Sequence, residues 1–147
     1  IKTIGDSYMA VCGLPKKSNA HAVQCVIAAF DMLDFLEKRK KNSDIGWEMR
    51  VGIHSGPLVA GVVGTKKFTY DVWGDTVNTA SRMESQGVPG KINISGHTYK
   101  YVRDYFDCNY RGKVSAKNKE DIDMYFVDKI KEDKILFQEG GQPFKKM

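Results

Sequence analysis

The chain has 147 residues, 41% of them hydrophobic and 28% charged, a balance that suits one globular domain and excludes a disordered or fibrous chain. The formal charge is +5, but Lys16-Lys17, Lys40-Lys41, Lys66-Lys67 and Lys145-Lys146 are scattered and no aromatic and basic residues cluster as in an RNA-binding module, so no nucleic-acid partner is expected. No apolar run approaches the roughly 18 residues that cross a bilayer, so no membrane contact is expected of this chain itself.

Cys12, Cys25 and Cys108 are odd in number and lack CxxC spacing, which argues against a disulfide framework and fits a reducing, cytoplasmic setting. His21, His54 and His97 stand apart from one another and from any HExxH pattern, so a zinc site is not expected either.

In chain order, Ile1 to Ile4 and Ser7 to Cys12 are β-prone runs separated by Gly5-Asp6, a pair that turns a tight hairpin. A chain that opens inside a hairpin is expected to be a fragment whose domain starts upstream. From Ser18 or Asn19 as N-cap, Val23, Val26, Ile27, Phe30, Leu33 and Leu36 recur at helical spacing as far as the basic stretch Lys38 to Lys41. Met49, Val51 and Ile53 alternate as a strand, and Ser55-Gly56-Pro57 predicts a turn into a second run, Leu58 to Val63, making another hairpin. A short strand over about Phe68 to Trp73 follows, then a helix from Thr76 to about Ser85 with Asp75 as cap, ended by Gly87-Val88-Pro89-Gly90. A strand at Ile92 to Ile94, a helix from Ser95 to about Asp104 and a last hairpin of Asp107 to Val114 with Asp121 to Val127 complete the pattern. Hairpins interleaved with helices predict an α+β sheet covered by helices on one face.

The densest chemistry lies in Tyr70 to Glu84. Asn78 and Arg82 are four apart on a helix and so share a face. An amide and a guanidinium near a helix N-terminus can gather around phosphate oxygens or a ribose. The same spacing also suits a surface helix whose Arg82 pairs with Glu84 or with solvent.

Three longer runs decide between these readings. Lys2-Thr3-Ile4-Gly5-Asp6-Ser7-Tyr8-Met9, Met49-Arg50-Val51-Gly52-Ile53-His54-Ser55-Gly56 and Asp71-Val72-Trp73-Gly74-Asp75-Thr76-Val77-Asn78-Thr79-Ala80-Ser81-Arg82 follow one another in order and at fixed spacing. Over Ile1 to about Val127 the chain resembles the class III adenylyl and guanylyl cyclase catalytic domain. The resemblance implies a ferredoxin-like sheet related to polymerase palms, a catalytic domain over 1–127 lacking its N-terminal segment, and an extension or linker over 128–147.

It further implies an adenylyl cyclase, which converts ATP to 3′,5′-cyclic AMP and pyrophosphate. In that family two divalent ions per site, Mg²⁺ or Mn²⁺, assist attack of the ribose 3′-hydroxyl on the α-phosphorus. Asp6 matches one metal aspartate, although Gly5-Asp6 is also ordinary turn chemistry. The other aspartate belongs to an upstream F-x-D-I-x-G-F-T motif that this chain does not contain. By the same matching Asn78 orients the ribose, Arg82 stabilises the transition-state phosphate, and Arg50 contacts the β- and γ-phosphates or else takes a surface partner. Lys117 falls at a phosphate-binding lysine. The family usually has glycines where this chain has Asn118 and Glu120, which leaves two further readings open: Lys119 shares or takes the role, or the segment is a solvated turn.

Lys2 and Asp71 match the base-reading pair. A lysine only donates and an ionised aspartate only accepts, which suits the N1 and 6-amino pattern of adenine and opposes guanine. Related guanylyl cyclases carry a glutamate and a small residue there. The resemblance implies a head-to-tail pair with sites between subunits, and a homodimer is expected because both half-sites have matches in one chain. A non-catalytic nucleotide-binding regulatory domain and a guanylyl cyclase are the alternatives.

Overall fold

The computed structural model describes residues 2–14, 18–42, 48–66, 69–115 and 120–131. Eleven elements follow in order: β1 (Lys2–Ile4), β2 (Ser7–Met9), α1 (His21–Lys41), β3 (Val51–Ile53), β4 (Val59–Val63), β5 (Thr69–Trp73), α2 (Asp75–Ser85), β6 (Ile92–Ser95), α3 (Gly96–Val102), β7 (Phe106–Val114) and β8 (Ile122–Ile130). The α+β class is as the sequence predicts.

A four-stranded sheet in the order β3-β6-β8-β7 is the centre of the molecule. β3 and β6 are parallel, and the β6/β8 and β7/β8 pairs are antiparallel. Every residue of β6 is buried. A strand whose side chains alternate between faces can be buried throughout only if both faces are covered. Ile92 and Ile94 join Val26 and Ala29 of α1, Val102 of α3, and Ile53, Phe106 and Val127 in the main core. Asn93 points the other way, to α2, where Met83 packs with Ile122 and Met124. This corrects the expectation of helices on one face only: α1 and α3 share one face, and α2 covers the second.

The apolar spacing that predicts α1 is the side that it buries. Its caps differ from the prediction, since the N-cap is Ala20, and Ser18 Oγ instead accepts the Ala20 N–H at 3.2 Å in a turn before the helix. At the other end Lys38, Arg39, Lys40 and Lys41 occupy the last turn, where cations meet the negative end of the helix dipole.

The expected hairpin between β3 and β4 does not form. β3 pairs in parallel with β6, and β4 pairs with β5 in a separate antiparallel ribbon. The intervening segment is drawn towards α3 and α2 by specific bonds. His54 Nδ1 and Ser95 Oγ share a hydrogen bond of 2.7 Å, Ser55 Oγ and Thr98 Oγ1 share one of 2.9 Å, and Thr76 Oγ1 donates to the Pro57 carbonyl. The β1–β2 hairpin forms as predicted, with Ile4 opposite Ser7 and Gly5 at φ 60, although β2 stops at Met9. α3 runs to Val102 with Ser95 as N-cap, its Oγ accepting from Thr98 N at 3.3 Å. β8 continues past Val127 to Ile130, and Lys131 N donates to Tyr105 O at 2.8 Å. The tail beyond it, Lys117, Lys119 and Phe68 lie outside the described residues. No helix among the described residues is long and apolar enough to cross a membrane.

All three cysteines are free. Burial first, and the neighbouring Cys12 second, pushes the Cys25 thiol from an ordinary 9.0 up to about 12. Burial also raises Cys108 to about 11. Iodoacetamide at about pH 8 should therefore label exposed Cys12 first and leave Cys25 and Cys108 as thiols in the native protein, read by peptide mass spectrometry. Above pH 9 the unfolded Cys25 thiol gives up its proton while the folded one keeps it, so native stability falls as pH rises towards about 12. Urea unfolding across that window should show a shallower decline for Cys25→Ala than for the wild type.

Candidate active site on helix α2

β5 delivers the chain to α2 through Gly74, whose φ of 122 and ψ of −176 form a conformation that essentially only glycine adopts. Asp71 sits on β5 opposite Gly61 of β4, and its Oδ1 accepts the Val72 N–H at 2.8 Å. One strand-to-helix run thus carries Asp71, Asn78 and Arg82. Asn78 is exposed, one turn before Arg82 on the same side of the helix. Arg82 Nη1 donates to the Ser115 carbonyl at 2.6 Å, which holds Ser115, just past the end of β7, beside this face.

The height of α2 over the sheet is set by contact with backbone. A Cβ added at Gly52 would lie 2.0 Å from Glu84 N and 2.4 Å from the Met83 carbonyl carbon, so only glycine admits the helix this close to β3. Two polar links reinforce the contact. Arg50, immediately before β3, donates from Nε and Nη2 to Glu84 Oε1 at 3.2 and 3.1 Å. Asn93 Nδ2 donates to Met83 O at 2.9 Å and faces the Met124 sulfur at 3.5 Å. Asn93 is 0% exposed, and its Oδ1 has no partner among the described residues, an arrangement that costs about 1–3 kcal/mol.

The expected site residues are therefore only partly gathered. Asn78 and Arg82 stand together, and Arg82 does not pair with Glu84, which is held by Arg50. Arg50 itself has the surface-partner arrangement that the sequence left open. Lys2 is opposite Met9 in the β1–β2 ribbon, and Asp6 is exposed at the tip of that ribbon. The ribbon pairs with no other strand, and no hydrogen bond or ion pair joins Asp6 to α2, among the described residues. A cavity of about 540 Å³ lies between the chain after β2 and the body, lined by Met9, Cys12, Cys25, Ile53 and Ala80. A second, of about 770 Å³, is lined by Trp73, Gly74, Thr79, His97 and Glu120. Asn78 and Arg82 line neither.

The described residues contain no cluster of three His, Cys, Asp or Glu side chains placed to hold a metal. Asp6 nonetheless suits a Mg²⁺ or Mn²⁺ ion as one hard oxygen ligand, because such ions are usually held by one or two carboxylates together with water and substrate phosphates. Sequence reasoning missed Glu84 as the partner of Arg50, and Asn93 and Ser115 as partners of the helix. The only local signals were a glycine inside a strand and an asparagine between Ile92 and Ile94.

A sequence model of the adenylate and guanylate cyclase catalytic domain matches residues 1–129. An adenylate cyclase of Mycobacterium bovis is 42% identical over 119 residues, covering 81% of this chain and 27% of the relative. Guanylyl cyclase C of Sus scrofa is 41% identical over 140 residues, covering 90% of this chain and 13% of the relative. The crystal structure of a guanylate cyclase domain from Catenaria anguillulae in complex with GTP superposes with a TM-score of 0.82 and 36% identity, over 88% of this chain and 71% of that one. The chain thus spans less than a third of the length of these two curated relatives.

Replacing Gly52 with alanine forces α2 away from β3 and should destabilise the fold by about 3 kcal/mol, read as a lower urea midpoint. Glu84→Gln, which breaks a half-exposed pair, should cost less than about 1 kcal/mol in the same measurement.

Proposed function

Because the chain belongs to the family of adenylate and guanylate cyclase catalytic domains, we propose that it is the catalytic part of an adenylyl cyclase that converts ATP to 3′,5′-cyclic AMP and pyrophosphate. The observation that carries this reading is the placement of Asn78 and Arg82 one turn apart on an open face of α2, with Arg82 turned to the strand end that precedes Lys117. A guanidinium there offsets charge on the α-phosphate as the ribose 3′-oxygen forms its bond to phosphorus and the bond to pyrophosphate breaks. The Asn78 amide holds the ribose so that the hydroxyl is in line, and Lys117 binds the departing phosphates, a role that Arg50 shares if its bond to Glu84 opens. Removing one such preorganised donor costs about 10² to 10³ in rate.

Asp6 would supply one carboxylate to Mg²⁺ or Mn²⁺, two ions per site, which when bound acidify the 3′-hydroxyl and offset triphosphate charge. Lys2 and Asp71 support adenine over guanine, since a donor meets N1 and an acceptor meets the 6-amino group. The similarity to guanylyl cyclase C favours GTP as the second reading.

A second copy of the chain completes the site in this proposal. Its support is the position of Asn78 and Arg82 outside both cavities, together with apolar side chains left open on the β4–β5 ribbon: Val59, Val62, Val63 and Trp73, of which Val62 is 64% exposed. The free thiols suit the cytoplasm, where ATP is supplied. The catalytic region spans 1–127 in this reading, and 128–147 includes the end of β8 and an extension beyond it.

Full-length protein given ATP or GTP, with either metal ion, should form cyclic AMP and little cyclic GMP. Cyclic GMP as the main product would overturn the assignment of Lys2 and Asp71. Mixing an Asp6→Ala chain with an Arg82→Ala chain should restore roughly a quarter of wild-type activity, since half of the dimers are mixed and each keeps one intact site. Activity no higher than that of either variant alone would exclude sites shared between chains.

A further inference from the structure

We propose that Asn93 and Arg111 are positioning residues that fix the height and rotation of α2 and so place Arg82 at the reacting phosphate, an inference that rests on the cyclase reading above. Neither residue lies in the motif runs that identify the site.

The open carbonyls at a helix C-terminus need partners from outside the helix. In α2 the Arg82 carbonyl takes the Gln86 N–H at 3.0 Å, and the Glu84 carbonyl takes the Gly87 N–H at 2.9 Å. In a regular helix the Gly87 N–H would go to the Met83 carbonyl. That carbonyl is met instead by Asn93 Nδ2 from β6, at 2.9 Å. Just past the helix end, the Gln86 carbonyl accepts from Arg111 Nη1 of β7 at 2.7 Å. Arg111 is itself held, its Cζ lying 4.2 Å above the Phe126 ring of β8, while Lys91 Nζ lies 4.9 Å from the same ring. Two strands of the sheet thus grip the last turn of α2 by its backbone, at positions flanking the Gly52 contact.

Arg82 is the residue before Met83, so any movement of the Met83 carbonyl shifts the base of the Arg82 side chain and its bond to Ser115 O. Asn93 is a poor choice for stability, being a buried amide between Ile92 and Ile94 with an unpartnered Oδ1 among the described residues. An isosteric leucine would fill the same space without gripping the helix. The amide therefore supplies geometry that an apolar side chain could not.

Steady-state kinetics of the full-length enzyme test this. Asn93→Leu should melt cooperatively within a few degrees of wild type, lower kcat about tenfold and leave KM within about twofold, because Arg82 acts on the transition state. In an Arg82→Ala background the same substitution should change kcat by less than about twofold, since the group it acts through is gone. Arg111→Gln, at a partly exposed position, should lower kcat about threefold with the same dependence on Arg82, and it decides the matter if Asn93→Leu does not fold. A folded Asn93→Leu or Arg111→Gln protein with wild-type kcat, or equal losses with and without Arg82, overturns the positioning role while leaving the cyclase reading intact. A wild-type protein that cyclises neither ATP nor GTP overturns the cyclase reading, and this role falls with it.

Discussion

The contact between α2 and β3 at Gly52 governs the rest of the architecture. Because the helix backbone rests almost on the strand backbone, α2 cannot slide without lifting off the sheet, and there is no side chain between them to repack. The second face of the sheet is organised around that fixed point. Met83 is driven into the pocket of Ile122 and Met124, and the amide of Asn93 fills the gap beside it. Arg50 and Glu84 close the edge with an ion pair whose partial exposure makes it a minor source of stability but a definite constraint on where Arg50 points.

The two faces divide the work. The α1 and α3 side holds the main apolar core, including the stacked Phe30 and Phe106 rings with centroids 5.9 Å apart, and among the described residues it carries none of the proposed phosphate-binding groups. The α2 side has a smaller core tied by polar links, in which Arg50, Asn93 and Arg111 reach the Glu84 carboxylate and the Met83 and Gln86 carbonyls. Polar links are directional where apolar contacts are not, so this side fixes the helix that carries Arg82 more narrowly than apolar packing alone would.

The sequence made much of this visible because much of it is local. The apolar spacing of α1, the two-residue turn at Gly5-Asp6 and the shared face of Asn78 and Arg82 all follow from residues a few positions apart. What it concealed depends on distant partners. Ser55-Gly56-Pro57 carries the composition of a hairpin turn, yet hydrogen bonds to Ser95 and Thr98 and from Thr76 take the chain elsewhere. The β3 and β6 pairing is parallel and joins segments about forty residues apart, for which no turn signal exists. Asp75 reads as a cap because its side chain favours that place, but the cap is Gly74, whose backbone conformation an aspartate could not share. The Arg82 and Ser115 link likewise spans a separation that periodicity cannot see.

The uninterrupted run from Asp71 through Gly74 to Arg82 has a geometric consequence. At about 1.5 Å per helical residue, the distance from the β5 end to the guanidinium is fixed by covalent structure and one glycine corner. That stretch acts as a molecular ruler, keeping its calibration when neighbouring elements tilt. Asp6, on a ribbon that pairs with no other strand among the described residues, has no such internal gauge.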